Sequence, residues 1–438
     1  MNTERENPIL TGFLADVADL APAPAFEAAN FQHPGVASEI DPEKSFWKDH
    51  VTYPFPVKFA QASTAEGDVY EIGYMDEVAE GVENPETLVI IHGKGAFGAL
   101  YGKVIRHAVE SGLRVVVPDL PGYGMSGPGN LDKSPARSMQ ELREVVHDLV
   151  VNQLGVEQAY YMGHSLGGHH VLGYALTWPD AVKGLILEAP AGLEEYPMAI
   201  DLGDGPVPLF DPALSSDWEG WLKIWGPTGI LDAEMNRTAE SVEDFYFFRT
   251  RDAAGNQIDA ETGYFLRDGQ YARLHADQRI GMIDGNPAEL EQWVNAFIFD
   301  IHTMASEMLE DDPDSLYKRS TQLEMPIFLA FGAKEPFIPG AAFNGLTDLA
   351  GDIITPFMLR MREAGNPPQL KIYPDAAHFI HSDEPVAFPR DVVDFVLTGT
   401  VDSFSPPLAD RIINGAPTVG VAAEVDADAG SPTAGLNK

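Results

Sequence analysis

One serine in this chain of 438 residues has the neighbours that a nucleophile needs. Ser165 stands in the segment GHSLGG (163–168), which fits the pattern G-x-S-x-G between an apolar run and a helix-like stretch. This context predicts a sharp strand-to-helix turn that strains the serine backbone and lifts its hydroxyl clear of the sheet. Gly163 and Gly167 would lie where side chains clash with neighbouring backbone. The helix N-terminus would stabilise negative charge that forms at the hydroxyl.

Strands and helices alternate on both sides of this turn. Continuous apolar runs, typical of buried strands, alternate with segments of helical spacing. This alternation predicts a mostly parallel sheet with helices on both faces. The carboxyl ends of such strands share one edge, where binding sites lie. The predicted strands span 51–60, 68–75, 87–93, 113–120, 158–163, 182–190, 325–332 and 369–379, with helices near 101–111, 138–155 and 166–178.

The alternation stops at about residue 191 and resumes at about residue 325. We therefore expect a core at 51–190 and 326–400, with a large, mainly helical cap (lid) at 191–325, inserted after the sixth strand. The cap holds four of the six tryptophans, and it favours an apolar or aromatic substrate. Residues 1–50 are expected to be an extension along the surface, and 401–438 a tail whose last part is disordered. The four cap tryptophans are Trp218, Trp221, Trp225 and Trp293.

Two further segments resemble motifs of one known superfamily. IIHGKGAF (90–97) resembles the H-G-x-G segment of α/β-hydrolases, and PDLPGYGMS (118–126) resembles their D-x-x-G-x-G-x-S segment. Both precede the GHSLGG turn at the expected distance. The chain therefore resembles the serine-nucleophile branch of the α/β-hydrolase superfamily over about residues 50–400. The fold expected from this resemblance is an α/β-hydrolase fold.

A serine hydroxyl needs a base within hydrogen-bond reach. The resemblance implies the order serine, acid, histidine, with the histidine after the last strand. His378 follows the small-residue turn DAA there and is the expected base, with His381 as an orienting neighbour or a surface residue. His92 and His164 belong to the resembling motifs and are expected to organise loops, while His169 and His170 are expected to be packed or solvated.

Two carboxylates compete for the role of the acid that orients the histidine. The resemblance implies an acid in a G-x-x-D-x-x-x-P context, and here GAKEPFIP supplies Gly332, Glu335 and Pro339 at that spacing. Glutamate replaces the usual aspartate, which lengthens the side chain by one methylene and keeps its charge. The alternative is Glu188, at the end of an earlier strand, where some members of the superfamily carry the acid.

Cleavage of an ester also needs donors for the oxyanion. The backbone N–H of Leu166, directly after the serine, is expected to be one donor. The loop after the HG pair would supply the second through the N–H of Lys94, with Gly95 as the alternative.

Composition excludes several classes of function. The formal net charge is −39, from 67 acidic and 28 basic residues, and there are no cysteines. Such a surface repels nucleic acids and anionic membranes, and disulfides are impossible. No metal or cofactor motif is present, so none is expected. The start of the chain has neither a signal-peptide pattern nor a spanning helix, so a cytoplasmic protein is expected by default, with a mature secreted or periplasmic form as the alternative.

These observations together predict a serine hydrolase that cleaves a carboxylic ester or lactone of an apolar or aromatic small molecule through an acyl-enzyme. An amidase or peptidase of the proline-iminopeptidase type, or a hydrolase of carbon–carbon bonds next to a ketone, would use the same residues. Retention of a serine, a histidine and an acid in the expected order argues against a non-enzymatic binding protein. Nothing in the sequence indicates the oligomeric state.

Overall fold

A computed structural model provides the architecture. It describes residues 31–127, 138–197, 199–201, 206–208, 250–251, 257–259, 270–335, 338, 346 and 348–401. Trp218, Trp221, Trp225 and Pro339 lie outside these residues, as do 1–30 and 402–438.

An eight-stranded sheet forms the centre of the fold. Its order is β14-β13-β8-β7-β5-β6-β4-β3. All neighbours are parallel except the pairs β3/β4 and β4/β6, which are antiparallel. The strands are β1 (Gly35–Val36), β2 (Val51–Thr52), β3 (Val57–Ser63), β4 (Val69–Val78), β5 (Thr87–Ile91), β6 (Arg114–Pro118), β7 (Ala159–His164), β8 (Val182–Glu188), β9 (Ala199–Asp201), β10 (Pro206–Pro208), β11 (Thr250–Arg251), β12 (Gln257–Asp259), β13 (Ile327–Gly332) and β14 (Gln369–Tyr373).

Helices pack beside this sheet in pairs. Helix α2 (Gly102–Glu110) contacts α10 (Ala387–Thr398), and α3 (Met139–His147) contacts α4 (Leu166–Thr177). Strands β5 and β13 are buried along their whole length, as expected for parallel strands covered on both faces. The helices are α1 (Phe46–His50), α2 (Gly102–Glu110), α3 (Met139–His147), α4 (Leu166–Thr177), α5 (Gln270–Asp284), α6 (Pro287–Ser306), α7 (Leu316–Arg319), α8 (Thr355–Glu363), α9 (Ile380–Asp383) and α10 (Ala387–Thr398).

This architecture confirms the predicted α/β fold with its mostly parallel sheet. The helix expected at 138–155 begins at Ser138, whose side chain accepts a hydrogen bond from the N–H of Glu141, and continues beyond α3 as a π-helical turn at Asp148–Gln153. Two predictions are wrong in detail. The strand expected over 369–379 ends at Tyr373, and the single strand expected over 51–60 is divided into β2 and β3. Pro54 and Pro56 lie between them, and proline cannot donate a hydrogen bond to a sheet.

The region predicted to be a cap is only partly described. Its described part contains the small antiparallel pairs β9/β10 and β11/β12 and the helices α5, α6 and α7. Helices α5 and α6 contact each other, and Trp293 on α6 is buried with 2% exposure. Within the described ranges, no helix combines the length and the apolar character that crossing a bilayer requires.

Candidate active site

Ser165 lies at the carboxyl end of the central strand β7, directly before α4. Its backbone has φ 55° and ψ −119°, a conformation that a residue with a side chain rarely adopts. Two hydrogen bonds hold the backbone of Ser165. Its N–H donates to the carbonyl of Glu188 at 3.0 Å, and the carbonyl of Ser165 accepts from the N–H of Ala191 at 3.0 Å. The serine itself is 7% exposed. This strained turn has the geometry expected of a nucleophile elbow.

The glycines around the serine are required by close backbone contacts. A Cβ at Gly163 would lie 2.1 Å from the carbonyl oxygen of Gly167, and a Cβ at Gly167 would lie 2.2 Å from that of Ile91. These contacts confirm the steric reason for the glycine pattern, and they allow α4 to begin directly above the sheet.

His378 and Glu335 come together from two other loops. Glu335 follows β13 and His378 follows β14, and the Nδ1 of His378 lies 2.9 Å from Oε2 of Glu335. Both side chains are buried, with 5% and 0% exposure. Because a carboxylate can only accept, Nδ1 carries the proton and the lone pair of the neutral ring is on Nε2. This tautomer is the one in which a histidine can act as a general base through Nε2.

His164 links this loop to the nucleophile strand. Burial and the neighbouring histidines hold the pKa of His164 well below its usual range, so the ring is neutral. Its Nε2 donates to the carbonyl of His378 at 2.9 Å, and the two rings lie 4.7 Å apart. The residue before Ser165 therefore holds the backbone of the expected base, which fits the loop-organising role predicted for His164.

Glu188, the alternative acid, has a different partner. Its Oε1 accepts from both the backbone N–H of His381 at 2.8 Å and the ring Nδ1 of His381 at 2.9 Å. His381 is only 1% exposed, so it is not a surface residue. The described site thus contains two acid–histidine pairs, Glu335–His378 and Glu188–His381. The assignment of the first pair to catalysis stays a prediction.

The loop after β5 approaches the serine from the other side. A Cβ at Gly93 would lie 3.1 Å from Cβ of Ser165. Burial lowers the pKa of His92 to about 4, so this ring is also neutral. Its Nε2 accepts from the N–H of Leu120 at 2.9 Å, which requires that Nδ1 donate to the carbonyl of Gly93 at 2.8 Å. His92 therefore fixes the loop from which the second oxyanion donor is expected.

Leu166 and Lys94, the two residues predicted to donate to the oxyanion, lie directly after Ser165 and directly after Gly93. Leu166 is the first residue of α4, and a backbone N–H at that position has no acceptor within its own helix. Lys94 follows Gly93, and its Nζ lies 3.7 Å from the ring centroid of Phe297 on α6. The choice of Lys94, or alternatively Gly95, as the second donor stays a prediction.

A second cation lies beside this loop. The guanidinium of Arg279 on α5 lies 3.7 Å from the ring centroid of Trp293, and its Nη2 would be 3.2 Å from a Cβ at Gly95. Arg279 is buried, with 6% exposure. Aromatic faces attract cations. Two positively charged side chains therefore lie beside this loop, within a chain of strongly negative net charge.

A buried carboxyl group connects the predicted cap to the core near the same loop. The hydroxyl of Tyr123, after β6, donates to Oδ2 of Asp300 on α6. Burial raises the pKa of Asp300 to about 7, while the bond from Tyr123 and the charge of Lys94 oppose that rise. Burial therefore favours the protonated form of Asp300 far more than water does.

Sequence reasoning missed Arg279, Asp300 and the partnership between Glu188 and His381. Arg279 and Asp300, in the region predicted to be a cap, lie in helices without any recognisable motif, so no local signal marks them. Glu188 and His381 are separated by 193 positions, and only the parallel arrangement of β8 and β14 brings them together. Among the described residues, Glu66, Asp68 and Glu141 bring carboxylate oxygens within 4.8 Å of one another, but this acidic group includes no residue of the candidate site.

Comparisons with known proteins agree with this architecture. Residues 86–218 match the family described as the alpha/beta hydrolase fold. A 2-hydroxy-6-oxononadienedioate/2-hydroxy-6-oxononatrienedioate hydrolase of Klebsiella pneumoniae is 26% identical over 317 residues, which cover 72% of this chain and 88% of that protein.

Solved structures show the same fold. A "probable hydrolytic enzyme" of Pseudomonas aeruginosa superposes with a TM-score of 0.55 at 21% identity, over 78% of this chain and 95% of that one. An esterase of Exiguobacterium antarcticum gives a TM-score of 0.50 at 13% identity, over 78% of this chain and 100% of that one. These likenesses confirm the fold that was expected from the sequence motifs.

Proposed function

We propose that this chain, an α/β-hydrolase by fold, is a serine hydrolase that cleaves a carboxylic ester or lactone of a small molecule through an acyl-enzyme. The main support for this proposal is the hydrogen bond between Nδ1 of His378 and Oε2 of Glu335. This hydrogen bond orients His378 as a base, with Glu335 on the loop after β13 and His378 on the loop after β14. The hydrogen bond from His164 to the carbonyl of His378 connects the base to the strand that bears Ser165.

The proposed reaction has two halves. In the first, the hydroxyl oxygen of Ser165 attacks the carbonyl carbon while Nε2 of His378 takes the hydroxyl proton. The N–H groups of Leu166 and of Lys94 or Gly95 stabilise the oxyanion. The leaving alcohol receives the proton from His378. In the second half, His378 takes a proton from water, the resulting hydroxide attacks the acyl carbon, and the carboxylic acid leaves as the proton returns to Ser165. Glu335 stabilises the imidazolium throughout.

A hydrolase of carbon–carbon bonds next to a ketone is the second candidate. Two observations favour it. The Klebsiella relative is named as a hydrolase of a 6-oxo dioate, a compound that has a ketone and two carboxylate groups but no ester. Lys94 and Arg279 supply positive charge next to Gly95, where a substrate carboxylate could be recognised. In this reaction the carbonyl carbon leaves as a carboxylic acid, and the carbon released from it takes a proton.

The same two cations argue against the third candidate, a peptidase that binds a free amino terminus. Such a substrate would carry an ammonium group and would be repelled by Lys94 and Arg279. A peptidase of the proline-iminopeptidase type therefore has less support than an ester or carbon–carbon hydrolase.

Turnover of two substrates tests the proposal. Purified protein would be assayed with p-nitrophenyl butyrate and with a 2-hydroxy-6-oxodienedioate, whose conjugated chromophore disappears on cleavage. We expect hydrolysis of the ester, and loss of both activities in Ser165→Ala. Cleavage of the dioate alone would favour the second candidate. A folded wild-type protein that turns over neither substrate, nor longer esters and lactones, would contradict both.

A further inference from the structure

The pair formed by Glu188 and His381 lies beside the candidate active site and has no role in the mechanism proposed above. Glu188 ends β8 and is 0% exposed. Its carboxylate accepts from the backbone N–H and from the ring Nδ1 of His381, at 2.8 and 2.9 Å. Two donors on one residue thus satisfy a carboxylate that would otherwise be strongly disfavoured by burial.

Glu188 is also bonded to the nucleophile turn. Its backbone carbonyl accepts from the N–H of Ser165 at 3.0 Å. One residue therefore holds the backbone of Ser165 through its main chain and the loop after β14 through its side chain. That loop carries His378, three residues before His381.

His381 is confined by rings on several sides. Its ring centroid lies 4.4 Å from that of Tyr101, 5.5 Å from that of His164 and 5.8 Å from that of Phe379. The turn itself is closed by Asp383, which accepts from the N–H of Ala377 at 2.9 Å. A side chain enclosed in this way has little room to reorient. A shift of Glu188 would therefore move the loop that carries His381.

We propose that Glu188 and His381 are positioning residues, which hold the His378 loop against the nucleophile strand so that the imidazole of His378 reaches Ser165. Glu188 does not take the place of Glu335 as the acid, because its hydrogen bonds go to His381. This inference rests on the proposed function, since it assumes that Ser165 and His378 react together.

The expected effect is on rate rather than on substrate binding. A misplacement of about 1 Å between reacting groups can lower a rate about a hundredfold. Glu188→Ala removes the acceptor of both His381 donors and should lower kcat by about 10- to 100-fold, while KM changes by less than about twofold. Glu188→Gln keeps one oxygen that can accept from both the backbone N–H and the Nδ1–H of His381, as Oε1 of Glu188 does, and it should stay within about fivefold of the wild type.

The experiment measures kcat and KM for p-nitrophenyl butyrate, with the number of competent sites counted by exhaustive labelling with a fluorophosphonate. Expressing kcat per labelled site removes losses that are due only to unfolding. Asp391→Ala is the matched control, since Asp391 is an equally buried carboxylate that bonds Lys371 and Tyr373 instead. The control should lower the yield or the thermal midpoint but leave kcat per labelled site within about twofold.

A second variant keeps the inference testable if Glu188→Ala does not fold. His381→Phe preserves a ring beside Tyr101 and removes the Nδ1 donor, and it should lower kcat per labelled site at least about fivefold. An unchanged kcat in either variant, or a change confined to KM, would overturn the inference. A wild-type protein without esterase activity or labelling would instead contradict the proposed function.

Discussion

Replacing Asp300 with asparagine should make the stability of this protein less dependent on pH. The pKa of the folded Asp300 carboxyl is raised from its ordinary 3.8 to about 7 by burial. Between these values the folded state binds a proton that the unfolded chain has already lost. Wild-type stability therefore falls as the pH rises through this window, and the loss is complete above about pH 7.

The magnitude follows from the pKa difference. Each pH unit between these values lowers the free energy of unfolding by about 1.4 kcal/mol. The total loss of stability that Asp300 causes therefore approaches about 4 kcal/mol at pH 8. About 2.5 kcal/mol of this loss of stability occurs between pH 5 and pH 8. The asparagine side chain of the variant would not titrate, and its carbonyl oxygen could still accept from the hydroxyl of Tyr123. The stability of Asp300→Asn relative to the wild type should thus improve by about 2.5 kcal/mol over that range.

Urea unfolding at pH 5, 6, 7 and 8 would measure this difference. Asp311→Asn removes an exposed carboxylate and is the control, for which the difference should vary by less than about 0.5 kcal/mol. A difference between Asp300→Asn and the wild type that is flat across the range, or that favours the variant more at pH 5 than at pH 8, would refute the reasoning.

Three further variants test other parts of the structure. Gly167→Ala places a Cβ 2.2 Å from the carbonyl oxygen of Ile91, so the thermal midpoint should fall by several degrees, and an unchanged midpoint would show that the elbow tolerates a side chain. Arg143→Met leaves the carboxylate of Glu307 without its 2.7 Å partner. Urea unfolding should show a loss of about 3 kcal/mol, part of which Glu307→Met should restore. Glu335→Gln should lower kcat for an ester about a thousandfold or more, whereas a rate within about twofold would assign the acid elsewhere.

The sequence predicted the parts of this fold that local pattern determines. Strands β5, β6, β7 and β8 form at the predicted apolar runs, although β5, β6 and β8 are shorter than predicted, and Ser138 marks the start of α3 by its capping side chain. The division of 51–60 into β2 and β3 depends on two prolines whose effect on hydrogen bonding is local and could have been anticipated.

The candidate site was predictable only where a motif or a resemblance marked a residue. Ser165 stands in a short pattern whose glycines have a steric purpose. Glu335 and His378 depend on a resemblance, and their meeting at 2.9 Å depends on two strands that are adjacent in space. The partner of Glu188 could not be read from the sequence, because a carboxylate at a strand end can bond any donor that the tertiary fold brings to it.

The same limit applies to the predicted cap. Arg279 and Asp300 are single charged residues on helices, where a solvated position is the usual outcome for such side chains. Only the packing of α5 and α6 against the loops after β5 and β6 buries them near Lys94 and Tyr123. No spacing rule in the sequence distinguishes these residues from the many acidic and basic residues on the surface.

Mass spectrometry of the protein after treatment with a fluorophosphonate tests the central proposal most directly. We expect one adduct on the wild-type chain, located at Ser165 by peptide mapping, and labelling that is slowed at least about a hundredfold in His378→Asn. A folded wild-type protein that gains no adduct, or whose adduct lies on another residue, would contradict it.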